Sequence, residues 1–158
     1  MTDNVSASSI PLTAQIVESL YAEALVLADE ARAVFDGTAP QTLREAAEPV
    51  SVALSIEGLR TTTRIMHVLA WLLNQRAFMA GELNERQLRL HGALPQDRPA
   101  QQEQLALLDG RTRELIAESE RLHARIARLD EQQRLERSTG QLAAPVQAMQ
   151  NKLRSAFN

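Results

Sequence analysis

Apolar residues along this chain gather into three long stretches with helical spacing, separated by glycines, prolines and polar runs. In the first stretch Ile16, Leu20, Ala24, Leu27, Ala31 and Phe35 recur every three or four residues, which predicts a helix with one buried stripe. Pro11 or Thr13 opens it, since proline suits a first turn and threonine can cap free backbone N–H groups. Gly37 closes it. The outer face, with Glu18, Glu23, Asp29 and Glu30, reads as a solvated helix side.

After a connector at 38–48, with room for a helical turn at Leu43–Ala47, a second helix is predicted from Pro49 to Ala80. It would span roughly 48 Å at 1.5 Å per residue. Val52, Ile56, Leu59, Thr63, Met66, Ala70, Leu73 and Ala77 form its expected core stripe, widened by Ile65, Leu69, Leu72 and Met79. On the opposite side lie Glu57, Arg60 and Arg64, then Val68, Trp71 and Phe78. That face is charged first and apolar later, and a three-helix bundle cannot cover every side of one helix. Val68, Trp71 and Phe78 therefore read as an anchor for a partner or a second copy, unless the segment from Gly81 to Arg98 folds back over them. Glu57, Arg60 and Arg64 read as a charged docking edge or as a surface ion ladder. Gly58 permits close helix approach, and Gly81 ends the helix.

Asn84 caps a short polar helix reaching about Leu90, and HGALPQDRP follows as loop. The third long helix is expected over 100–136. There Leu105, Leu108, Thr112, Leu115, Ser119, Leu122, Ile126 and Leu129 give a heptad pattern with leucine at every d position. Leu122 and Met66 are expected on facing buried stripes. The helix is expected to fray into Ser138, Thr139 and Gly140. A tail follows in which Val146, Met149, Leu153 and Ala156 or Phe157 share one face, with Lys152 and Arg154 as its only charges. Such a short helix is marginal alone.

The chain thus divides into a disordered N-terminus (1–11), a bundle (12–137) and a flexible tail (138–158). The fold class is all-α: an antiparallel three-helix bundle with a short helix in its second connection and flexible termini. Composition agrees, with 3% aromatic residues among 158 and a predominance of good helix formers. A net charge of −3 speaks against non-specific nucleic-acid binding. The absence of cysteine excludes disulfides, thiolate metal sites and a Cys nucleophile. The longest apolar run, Val68–Leu73, is far short of the roughly 20 residues of a membrane span. With no leader-like start, the expectation is a cytoplasmic protein.

The chemistry-bearing residues do not assemble a reactive constellation. His67, His91 and His123 are dispersed, and Glu120 with His123 makes a single Glu-x-x-His pair where a di-iron bundle needs two. No catalytic, cofactor-binding or metal-ligating residue is assigned.

Two stretches, SLYAEALVLADEAR (Ser19–Arg32) and ALSIEGLRTTTRIMHVLAWLLNQRAFMAGEL (Ala53–Leu83), resemble the alpha-proteobacterial family named regulator of CtrA degradation. The resemblance implies a small helical-bundle adaptor, not an enzyme, that brings cell-cycle regulators or other adaptors to the ClpXP protease. The implied partners are ClpX or a ClpX-bound response-regulator-like adaptor, together with protein cargo. From the residues alone, a homodimer is expected through Val68, Trp71 and Phe78. A helical-bundle signalling or transcriptional regulator acting by protein–protein contacts is the alternative.

Overall fold

The computed structural model describes residues 11–36 and 48–156, with side chains throughout except at 141–144 and 156. The N-terminal segment 1–10, Gly37, the turn expected at 43–47 and Phe157 lie outside the described residues. Those residues are all-helical or irregular, without a strand. Thr13 caps α1 (Ala14–Phe35) by accepting the backbone N–H of Ile16 at 3.3 Å. Helix α2 runs from Glu48 to Met79, and Gly81, at φ 77, turns the chain out of it. Asn84 and Gln87 form a reciprocal capping box at the start of α3 (Glu85–His91). A single turn, α4 (Gln102–Leu105), precedes α5 (Gly110–Ala156).

Among the described residues, three long helices share one core. Val17, Leu20, Ala24, Leu27 and Ala31 of α1 meet Ile65, Val68, Trp71 and Leu72 of α2 and Leu115, Leu122 and Ile126 of α5. A smaller cluster at one end joins Ala53, Leu108 and Ile116. The stripes expected on α1 and α5 are the buried ones. Gly58 lets α1 approach closely, since a Cβ there would stand 2.9 Å from the Phe35 ring.

The helix directions differ from the expected antiparallel bundle. Glu18 pairs with Arg76 while Phe35 meets Gly58, so α1 and α2 are antiparallel. Between α2 and α5 the contacts climb together: Arg64 with Ser119, Trp71 with Asp130, Gln75 with Gln133. These two helices run parallel. A short link forces neighbouring helices to be antiparallel. The segment 80–109 is long enough to return along the bundle before α5 begins.

The third long helix is also displaced. It starts at Gly110 rather than near Pro99, and it continues through Ser138 and Thr139 to Ala156. Ser138 and Thr139 donate their hydroxyls to the carbonyls of Arg134 and Leu135, one turn back, so the polar run does not break the helix. Asp109 sets the start by accepting the Thr112 N–H at 2.8 Å.

The phase of α2 is reversed. Met66 is 60% exposed and Leu59 71%, whereas Val68 and Trp71 are each 1% exposed. Leu122 is buried as expected, but Met66 does not face it. Leu122→Ala should therefore cost about 2–5 kcal/mol, while Met66→Ala should stay within about 0.5 kcal/mol. Urea denaturation of the two variants measures both.

The backbone hydrogen bond from Thr112 holds the Asp109 carboxyl below the usual carboxylate range. A depressed folded-state pKa gives stability that is present above the unfolded value, about 3.9, and is lost as pH falls through the folded value. Asp109→Ala should lower stability at pH 7 by about 0.5–2 kcal/mol. The gap to wild type should close in acid, as read by denaturation curves at both pH values.

Candidate functional site

The reversal of α2 follows from what covers its charged side. Residues 92–101 carry no helix or strand; they form a strap lying between α2 and α5. Side chains from both helices supply its hydrogen bonds. Asp130 accepts the Leu94 N–H at 3.3 Å, and His123 Nε2 lies 3.1 Å from the Pro95 carbonyl. Glu120 accepts the Ala100 N–H at 2.7 Å, and Glu57 accepts that of Gln101 at 3.3 Å.

Arg64 is the hub. Its side chain is fully buried, and its Nε donates to both carboxylate oxygens of Asp97 at 2.9 Å. One terminal nitrogen donates to Ser119 Oγ at 2.8 Å, the other to the Arg98 carbonyl at 3.0 Å and to Glu120 at 3.4 Å. A buried guanidinium is tolerable only with its donors paired and its charge matched. Here two carboxylates match it, from the strap and from α5. Ser119 in turn donates to the Ile116 carbonyl at 2.7 Å.

Further along the same face, the Trp71 indole N–H donates to Asp130 Oδ1 at 2.9 Å. Asp130 thus joins the α2 tryptophan and the strap backbone through its two oxygens. Arg60 donates to Glu57 Oε1 at 2.7 Å. Glu57 Oε2 and Thr61 Oγ1 are buried without a protein partner.

These contacts correct the expected docking face. Glu57, Arg64, Val68 and Trp71 are interior, Arg60 is half-buried against Glu57, and Phe78 is half-buried with the Arg137 guanidinium 5.8 Å from its ring centre. Helices α1 and α5 bury Val68 and Trp71 within one chain, and the strap closes over Glu57 and Arg64, with Leu94 packed against the same core. Of the tail residues, Val146, Met149 and Leu153 are exposed, on a part of α5 that has passed the end of the core. Together with Leu135 they lie roughly half a turn from the buried Leu115, Leu122 and Ile126, at 100° per residue. The tail stripe therefore faces away from the bundle.

The surface that α2 leaves open is the stripe expected to be core. Val52, Leu59, Met66 and Leu73 are exposed at intervals of seven, with Thr63 and Ala70 between them. Beside it a groove of ≈ 600 Å³ runs between α2 and the strap, lined by Ile56, Leu59, Thr63 and His67 on one side and Gln96 and Arg98 on the other. A row of this length is unusual for a surface with no partner.

Sequence reasoning missed Asp97, Ser119, Glu120 and Asp130 as partners of α2. The one available signal was that Glu57 and Arg64 share a face with Val68 and Trp71, a mixture that needs polar groups from elsewhere once buried. Glu120 and His123, the single Glu-x-x-His pair, both hold the strap. No group of three or more metal-ligating side chains occurs among the described residues. No described helix is long and apolar enough to cross a membrane.

Comparison with known proteins is consistent with this architecture. The family model described as "Protein of unknown function (DUF1465)" matches residues 9–157. The crystal structure of RcdA from Caulobacter crescentus CB15 superposes with a TM-score of 0.61 at 25% identity, covering 75% of this chain and 92% of that one. The fold is thus RcdA-like, and the two findings together support an RcdA-like family. No curated protein matches it in sequence.

Removing Arg64 should release the strap. Arg64→Ala would leave the carboxylates of Asp97 and Glu120 without their cation. Loss of a buried partner costs about 3–5 kcal/mol, and the solvent access of Asp97 and Glu120, 23% and 33%, places this case near the lower end. Amide exchange should accelerate first in Leu94–Gln101. Unchanged exchange there would show that the strap is held by something else.

Proposed function

This chain belongs to the DUF1465 family, and from that membership and its RcdA-like fold we propose that it is a non-enzymatic adaptor in regulated proteolysis. It would deliver cell-cycle regulators or other adaptors to the ClpXP protease in the cytoplasm. The observation that carries the reading is the exposed apolar surface along α2. Among the described residues, the polar cluster around Arg64 holds the strap, while α2 presents Val52, Leu59, Met66 and Leu73 to solvent. Such a surface suits protein contacts.

The homodimer is placed on this α2 stripe rather than on Trp71. The heptad interval is that of a helix seam, and the neighbouring Ser55, Thr62 and Leu69 bring no charge against a second copy. The tail is assigned the tether. Its helix projects beyond the core, with Val146, Met149 and Leu153 on one side and only Lys152 and Arg154 as charges. It would order fully on ClpX or on a ClpX-bound response-regulator-like adaptor, with the ordering cost met at that step.

Two variants separate these roles. The double variant Leu59→Glu, Met66→Glu should keep its helical circular dichroism and sediment as a monomer. Deleting 141–158 should change stability by no more than roughly 0.5 kcal/mol and reduce delivery of cargo in a reconstituted ClpXP degradation assay. Equal degradation rates with and without the tail, for every cargo tried, would remove the tether role. A large drop in melting temperature would show instead that the tail belongs to the core.

A further inference from the structure

Where α5 leaves the bundle, Arg134, Arg137 and Ser138 face Arg89 of α3 across a cavity of ≈ 270 Å³. Leu88, Gly92 and Ala93 supply its apolar wall. Asp130 also lines it, but both of its oxygens are engaged, by the Trp71 indole and the Leu94 N–H. Three arginines against one aspartate leave the lining at +2. Nearby Glu85 and Glu131 stand 3.8 Å from Arg89 and Arg134, and the four side chains are 41–63% exposed. Ion pairs that open and that long contribute little. Arg137 is already positioned, stacked over Phe78 and donating to Gln133 Oε1 at 3.2 Å.

Guanidinium groups arriving from two elements at one cavity are the donor arrangement that recognises phosphate oxygens. We propose that this cavity binds a phosphate monoester or phosphate dianion, supplied either as the free ion or on a phosphorylated side chain. The lining has no aromatic ring on which a base could stack, which argues against a nucleotide. The bound oxyanion bridges Arg89 of α3 to Arg134 and Arg137 of α5. It thereby ties α3, and the strap that follows it, to the root of the projecting helix. The adaptor role does not depend on this site.

Calorimetric titration of the full chain with sodium phosphate and with O-phosphoserine, at constant ionic strength in sodium chloride, tests the proposal. Saturable binding of at least one is expected. Arg89→Gln and Arg134→Gln should each weaken it at least tenfold, and Arg113→Gln, on an exposed position nearer the start of α5, should leave it unchanged. Tighter binding of O-phosphoserine would identify a phosphorylated side chain as the source; equal or weaker binding would identify the free ion. As a second readout on the unsubstituted protein, phosphate should slow amide exchange in residues 85–92. No saturable binding of either probe, or binding that neither arginine substitution alters, would overturn the site.

Discussion

Arg64 determines how the rest of the molecule is arranged. A guanidinium buried between two helices needs anionic partners within reach. Asp97 of the strap and Glu120 of α5 meet that requirement together. Placing Arg64 inward turns the whole of α2 with it, because a helix is rigid and every position moves in phase. Val68 and Trp71 then enter the core, and Val52, Leu59, Met66 and Leu73 face outward. The exposed apolar stripe is thus a consequence of where one cation is neutralised.

The strap makes the same point for topology. A segment without helix or strand can lie fixed along two helices only if its backbone groups find partners there. Leu94, Pro95, Arg98, Ala100 and Gln101 find theirs on side chains of α2 and α5. Gly92 is needed where the strap begins, since a Cβ there would sit 2.5 Å from the Leu88 carbonyl oxygen. The return of the chain along this path allows α2 and α5 to run parallel. The burial of Arg64 and the helix directions are therefore one feature seen twice.

Much of this was legible in the residues. On α1 the apolar stripe is unambiguous because the other face is charged, and Thr13 caps it as its residue type suggests. The leucine heptad leading into and along α5 marks Leu108, Leu115 and Leu122 as core. Asn84 and Gly81 were recognisable as a cap and a stop. On α2 periodicity does not select the buried face, because apolar residues occur on nearly every side and a charged residue ordinarily marks solvent. Trp71, the single tryptophan, shares a face with Arg64 and is the residue there with the most apolar area to bury. The strap's hydrogen bonds reach Glu57 and Arg64 of α2 and Glu120, His123 and Asp130 of α5, and no local pattern announces such pairings. Pro99 and the Ser138–Gly140 run look like helix boundaries by composition, yet tertiary contacts and back-bonding hydroxyls placed the ends of α5 elsewhere.

The chain has no cysteine, so a single introduced thiol reports on one position. Met66→Cys and Val68→Cys are two residues apart and lie on opposite faces of α2. Their native-state reaction with a thiol reagent, at a concentration where sedimentation shows a monomer, tests the inward turn of Arg64 most directly. The account predicts that Met66→Cys reacts at close to the rate of an unfolded chain and that Val68→Cys is strongly protected. The reverse order would place the Val52–Leu73 stripe in the core and contradict it.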